Sequence, residues 1–122
     1  IDLDADDLAG ARGHAVLIRT DHSRHWATDA YFGEHPHLTA RAADVLVAAE
    51  VACVGIDSLN IDAIDGTGRP VHTTLLGAEI PIVEHLPGLD RLPERGFCFT
   101  AVPPEISGAV TFTVRAYATV GK

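Results

Sequence analysis

His72 and Glu84 stand twelve positions apart and are the two side chains of this sequence best placed to act on one ion. An imidazole nitrogen and a carboxylate oxygen make a borderline-hard ligand set, suited to zinc or manganese. Pro70 fits the first turn of a helix, where its missing N–H costs nothing, and Gly77 fits the left-handed residue that ends one. His72 then lies in the first turn, where the helix dipole disfavours imidazolium and leaves a nitrogen lone pair free for a cation. Ile80 to Glu84 reads as a short strand, with Pro81 implying an edge position or a strand start and Glu84 at the C-terminal end. A single His and a single Glu at this spacing also suit a surface or a cap, so spacing alone leaves both readings open.

The other chemically suggestive residues are weaker. Glu34-His35-Pro36-His37 invites a metal reading, but the proline forces an extended turn before a helix and such turns are usually exposed, so neither His35 nor His37 is taken as a ligand. Asp57, Ser58, Asn60, Asp62 and Asp65 crowd the approach to Gly66-Thr67-Gly68, yet their spacing does not fit the alternating ligands of an EF-hand loop. Turn-forming and supporting roles suit them better, with Asp57 and Ser58 nearest the site because they leave a buried strand. Trp26 sits in the polar loop Asp21 to Trp26 with His22 and His25, where its ring either lines a substrate pocket or covers the edge of the core. Cys53 and Cys98 lie in apolar runs and read as small buried hydrophobes rather than as a disulfide or ligand pair.

The elements that must position these residues follow an α/β pattern with a mixed sheet and flanking helices. The acidic opening, Asp2, Asp4, Asp6 and Asp7, reads as a solvated connector or helix start. His14 to Thr20 is a nearly continuous apolar run, expected to be a central strand covered on both faces. Thr39 makes a good N-cap for an amphipathic helix over Ala40 to Glu50, and Val51 to Ile56 is the next buried strand. Helix, tight turn and strand in that order form an α/β unit. Leu86 to Pro93 is a proline-punctuated loop with apolar pegs at Leu86, Leu89 and Leu92, expected to hold a short helical turn. Phe97 to Val102 and Thr111 to Thr119 alternate like strands and form a terminal pair expected to close the sheet.

Composition excludes several classes. The chain has 122 residues, a formal net charge of −8 and one lysine, Lys122, so there is no basic patch to track a phosphate backbone and nucleic acid is set aside as a partner. No apolar run approaches the roughly 18 to 20 residues that cross a bilayer, so no membrane role is expected. The acidic start is unlike a signal peptide, which makes a cytoplasmic location the default.

The string Val54-Gly55-Ile56-Asp57-Ser58, His72, Leu75-Leu76, Ile80-Pro81-Ile82-Val83-Glu84 and Leu86 resembles the C-terminal half of the cyclase family. That family includes bacterial kynurenine formamidases and isatin hydrolases, which are metal-dependent amide hydrolases. The resemblance runs from about Ala15 to Tyr117 and is most specific between His72 and Glu84. It implies a swivelling β/β/α fold, a divalent metal, Zn2+ or Mn2+, held partly by His72 and Glu84, and hydrolysis of an aryl formamide or cyclic amide by metal-activated water. It also implies that the remaining ligands belong to an N-terminal motif of the form His-x-Gly-Thr-His-x-Asp, followed by a histidine serving as general acid and base. These residues do not contain that motif: Gly66-Thr67 lacks a preceding His-x, and Gly68 follows.

A catalytic zinc takes about three protein ligands and a water, so His72 and Glu84 alone make an incomplete site. The chain begins at Ile1 without a methionine, and together with the resemblance this gives the expectation of one domain over residues 1–122 that forms the C-terminal part of a longer chain. Such a piece is expected to bind metal weakly, to be inactive by itself, and to leave apolar surface around Val16 to Ile18 and Val51 to Ile56. That surface would draw in the missing segment or a second copy. Two rival readings are a non-catalytic binding domain that keeps a remnant of the fold, and an unrelated small α/β domain in which His72 and Glu84 point apart.

Overall fold

The computed structural model describes residues 1–66 and 68–121, so Thr67 of the Gly66-Thr67 pair and Lys122 lie outside the described residues. The chain divides into two compact units, Ile1–Asp90 and Arg91–Lys122. The α/β class expected from the sequence is the class observed, with parallel and antiparallel pairing kept in separate sheets.

The first unit holds a three-stranded parallel sheet of β1 (Ala15–Ile18), β2 (Cys53–Ile56) and β3 (Ile82–Val83), in that spatial order. Ala15 stands opposite Cys53 and Ile18 opposite Ile56, while Val54 and Gly55 face Ile82 and Val83. β2 is therefore the central strand and β1 an edge strand, with all four of its side chains half-buried. The expectation of a central strand over His14 to Thr20 is corrected here: an apolar run reports covered faces, and does not report how many strands lie beside it.

Two helices cover β2. Thr39 caps α1 (Ala40–Ala48), its hydroxyl accepting the Ala42 N–H at 3.1 Å. Ala42, Ala43 and Leu46 of this helix, Val71 and Leu75 of α2 (Pro70–Gly77), and Val54 and Ile56 of β2 form a fully buried core. Apolar surface expected around β2 is thus closed within the unit. Leu8 also enters this core, so the acidic opening is anchored rather than a free connector.

Pro70 occupies the start of α2 as its missing N–H predicts. Gly77 does not end the helix in the left-handed conformation; Glu79 does, at φ 60°. The Ile80 N–H returns to the Leu75 carbonyl at 2.9 Å and the Glu79 N–H to the Leu76 carbonyl at 3.0 Å, the paired bonds of a Schellman ending. Ile80 and Leu75 are both buried in the same core, and their closure places the left-handed residue two positions beyond the glycine.

Gly55 has a packing reason of its own. A Cβ there would lie 2.6 Å from both Leu17 Cδ2 and Leu86 Cδ1, so the central strand has no room for a methyl group. Gly55→Ala is expected to destabilise the chain by about 1–3 kcal/mol through overpacking, read as a lower urea midpoint at unchanged slope.

The second unit contains β4 (Phe97–Val102) and β5 (Arg115–Val120), antiparallel, with Phe97 opposite Val120 and Val102 opposite Arg115. These strands pair with one another and form their own sheet, which corrects the expectation that they close the first one. β4 alternates at its start, Phe97 half-buried and Cys98 exposed, so Cys98 is not the buried hydrophobe its neighbours suggested. Cys53 is half-buried in β2, and burial pushes its thiol above the usual range. At pH 8 iodoacetamide should modify Cys98 well before Cys53, and Cys53 should react appreciably only as the pH rises further. Peptide mapping after timed alkylation checks this.

Candidate metal centre

The centre is assembled at the N-terminus of α2. Arg69 precedes the helix without capping it by its side chain. The cap comes from Asp62, in the loop after β2, which is fully buried. One of its carboxylate oxygens accepts the Val71 N–H at 2.8 Å; the other accepts the His72 N–H at 3.0 Å and meets His72 Nδ1 at 2.7 Å. A carboxylate satisfies helix N–H groups and favours the positive end of the dipole, so Asp62 does both jobs from a distance. A carboxylate accepts only, so Nδ1 carries the hydrogen it shares with Asp62, and in the neutral form of the ring the lone pair is at Nε2.

Nε2 faces Glu84. Its distance to Glu84 Oε1 is 3.5 Å, and both side chains keep about a fifth of their surface exposed, at 18% and 21%. Glu84 directly follows β3, and its Oε1 accepts the Ile61 N–H at 2.8 Å. Two donors each about 2.0–2.2 Å from a tetrahedral cation stand roughly 3.4 Å apart, so this pair has the spacing of two ligands of one ion. Among the described residues no group of three or more His, Cys, Asp or Glu side chains is arranged to hold a metal. Donor chemistry and spacing therefore fit a metal as a two-ligand partial site, with the ring oriented by Asp62.

The other residues singled out from sequence hold the surroundings. Asp57, fully buried, accepts the Thr20 N–H at 2.7 Å, the Thr20 hydroxyl at 2.6 Å and the Asp21 N–H at 2.9 Å, tying the loop after β1 to the end of β2. The Ser58 hydroxyl donates to the Pro36 carbonyl at 2.7 Å, and its own carbonyl accepts the N–H of His85, the neighbour of Glu84. Trp26 is 62% exposed and meets Tyr31 edge-on at 5.1 Å between ring centres, with His85 at 6.2 Å. His35 is buried, contrary to the exposed turn expected for it, because its Nε2 lies 3.1 Å from the Asp62 carbonyl oxygen and fixes the loop that carries that residue.

Two residues escaped the sequence reading, Tyr31 and His85. Asp62 has the supporting role expected for its loop, but it and not Asp57 or Ser58 is the one that touches His72, because it lies under α2. Tyr31 is fully buried, with its hydroxyl 2.8 Å from His85 Nδ1. Its phenol is held above the usual range, first by burial and then by the charges of Asp57 and Glu84. The adjacency of His85 to Glu84 was the one available signal.

Against known families, the chain matches the profile Cyclase, described as "Putative cyclase", over residues 3–63, half of its length. It belongs to that family. Isatin hydrolase A from Ralstonia solanacearum superposes with a TM-score of 0.81 at 28% identity, over 98% of this chain and 53% of that one. Isatin hydrolase A from Labrenzia aggregata, bound to benzyl benzoate, gives 0.84 at 25% identity, over 100% of this chain and 55% of that one. A structure described as a potential metal-dependent hydrolase with cyclase activity gives 0.76 at 30% identity, over 95% and 58%. The chain thus spans a little over half the length of the solved structures it resembles. No curated protein matches it. Among the described residues no helix is long and apolar enough to cross a membrane.

Proposed function

We propose that the chain supplies part of the active site of a metal-dependent hydrolase that cleaves a non-peptide amide, an aryl formamide or a cyclic amide of the isatin kind, to an amine and a carboxylic acid. The observation that carries this reading is the 3.5 Å approach of His72 Nε2 to Glu84 Oε1, with the other ring nitrogen, Nδ1, fixed by Asp62. When bound there, a divalent cation, Zn2+ or Mn2+, supplies Lewis acidity toward an amide carbonyl and toward water. His72 and Glu84 hold two of its positions, Asp62 keeps the imidazole in one tautomer and orientation, and the Ile61 N–H anchors the Glu84 oxygen that faces the ring. The exposed ring of Trp26, which meets His85, the residue after Glu84, gives a planar substrate a surface to lie against.

The remaining ligands and the acid–base histidine come, in this reading, from residues beyond these 122. Two observations support it: two donors fall short of a catalytic set, and the resembled hydrolases are nearly twice as long. Association with that segment or with a second copy belongs to the same proposal, and exposed Ile106, Val110 and Tyr117 in the second unit are surface of the type that associates.

The test compares the purified 122-residue chain with a protein that also includes the preceding coding sequence, each supplied with Zn2+ or Mn2+. Ring opening of isatin and deformylation of N-formylkynurenine are followed by absorbance. The longer protein should hydrolyse one of them in a chelator-sensitive manner, and the chain alone should bind metal weakly and turn over neither. Enzyme-like rates from the chain alone, or none from the longer protein, would overturn the proposal. A remnant that only binds would give the second of those results.

A further inference from the structure

Glu84 is delivered by a strand only two residues long, so the sheet ladder by itself fixes its backbone poorly. Past Val83 the ladder changes. In a regular parallel continuation of the Gly55–Val83 register, the Ile56 carbonyl would receive the His85 N–H. It receives the Leu86 N–H instead, at 3.1 Å, and the His85 N–H goes to the Ser58 carbonyl at 3.2 Å. One extra residue is accommodated, as in a bulge, a device that re-aims a neighbouring side chain.

His85 is that residue's pivot, with φ at 58°. The left-handed region is costly for most side chains with a Cβ, and histidine is among those that enter it more often. That side chain shares a 2.8 Å hydrogen bond with the hydroxyl of Tyr31. Tyr31 is itself immobilised: its ring is 1% exposed, its carbonyl oxygen lies 3.0 Å from His22 Nε2, and Trp26 and Phe32 pack edge-on against it at 5.1 and 5.6 Å. A rigid phenol therefore grips the strained residue immediately after the carboxylate.

We propose that Tyr31 is a positioning residue that aims the Glu84 carboxylate by holding His85 in its left-handed conformation. The functional meaning of that aim rests on the metal reading above, whereas the geometric claim does not. Tyr31 acts through His85 and has no assigned contact with substrate.

The reporter is the Ile61 amide, which donates to Glu84 Oε1 at 2.8 Å, read by hydrogen exchange in NMR spectra of the 122-residue chain. The Val71 and His72 amides, held by Asp62, serve as internal controls. Tyr31→Phe should raise Ile61 exchange by about tenfold, the net worth of one hydrogen bond, and leave the two controls unchanged. His85→Asn, whose side chain tolerates the left-handed backbone but lacks the imidazole, should give a similar rise. The double variant should add little, because both changes break one link. Unchanged Ile61 exchange, a rise shared equally by all three amides, or additive effects in the double variant would each overturn the proposal. Titrating the longer protein with Zn2+ separates the two claims: if its His72 and Glu84 signals do not move while Ile61 of the 122-residue chain responds as expected, the metal reading falls and the positioning role stands.

Discussion

Asp62→Ala is expected to destabilise the chain by about 3 kcal/mol or more, because three donors lose their acceptor and an unmet buried donor costs about 1–3 kcal/mol. The carboxylate is buried and serves three donors: two helix N–H groups that no intrahelical carbonyl can reach, and the ring Nδ1. Alanine leaves all three without that acceptor at the positive end of α2. Stabilities of small proteins are about 5–15 kcal/mol, so the loss takes a large share of the total. Asp62→Asn keeps one acceptor oxygen and should cost clearly less. Urea denaturation followed by circular dichroism measures both, and a change below about 1 kcal/mol for the alanine variant would mean that water replaces the carboxylate without penalty.

The second large effect concerns His72 and Glu84 in the longer protein described above. Replacing a partner that orients a metal ligand lowers affinity or activity by about 10–100-fold, which is the loss expected for Asp62→Asn. His72→Ala and Glu84→Gln remove or neutralise the donors themselves and should exceed about 100-fold in kcat/KM, with bound metal falling in parallel. Metal content by atomic emission and kcat/KM for the responsive substrate are the two readouts. Full metal content with normal turnover in both variants would remove His72 and Glu84 from the site. Loss of turnover with metal retained would instead give them a role toward substrate.

Much of the framework was legible in the order of residues. Pro70 marked the start of α2, Thr39 capped α1, and Pro81 kept β3 short and at an edge, because each acts through its own backbone and its immediate neighbours. The approach of His72 to Glu84 was legible for a related reason. A helix start and a strand end, joined by a tight reversal and packed in one α/β unit, can meet only at a limited set of places.

What lay outside the sequence was every choice among chemically equal candidates. Asp57 and Asp62 have the same carboxylate and occupy the same loop, yet one secures the turn after β1 and the other caps α2 and orients His72. Gly77 was the better left-handed residue by conformational cost, and Glu79 took the role because Ile80 had to close on Leu75. His35 was read as exposed and is buried, because the carbonyl of Asp62 presents an acceptor to it from residues far along the chain. Local preference is set by backbone and side-chain terms of about 1 kcal/mol or less. Burial of a core residue or an unmet buried hydrogen bond is worth more than that, so wherever the two compete, the partner brought by the tertiary structure decides.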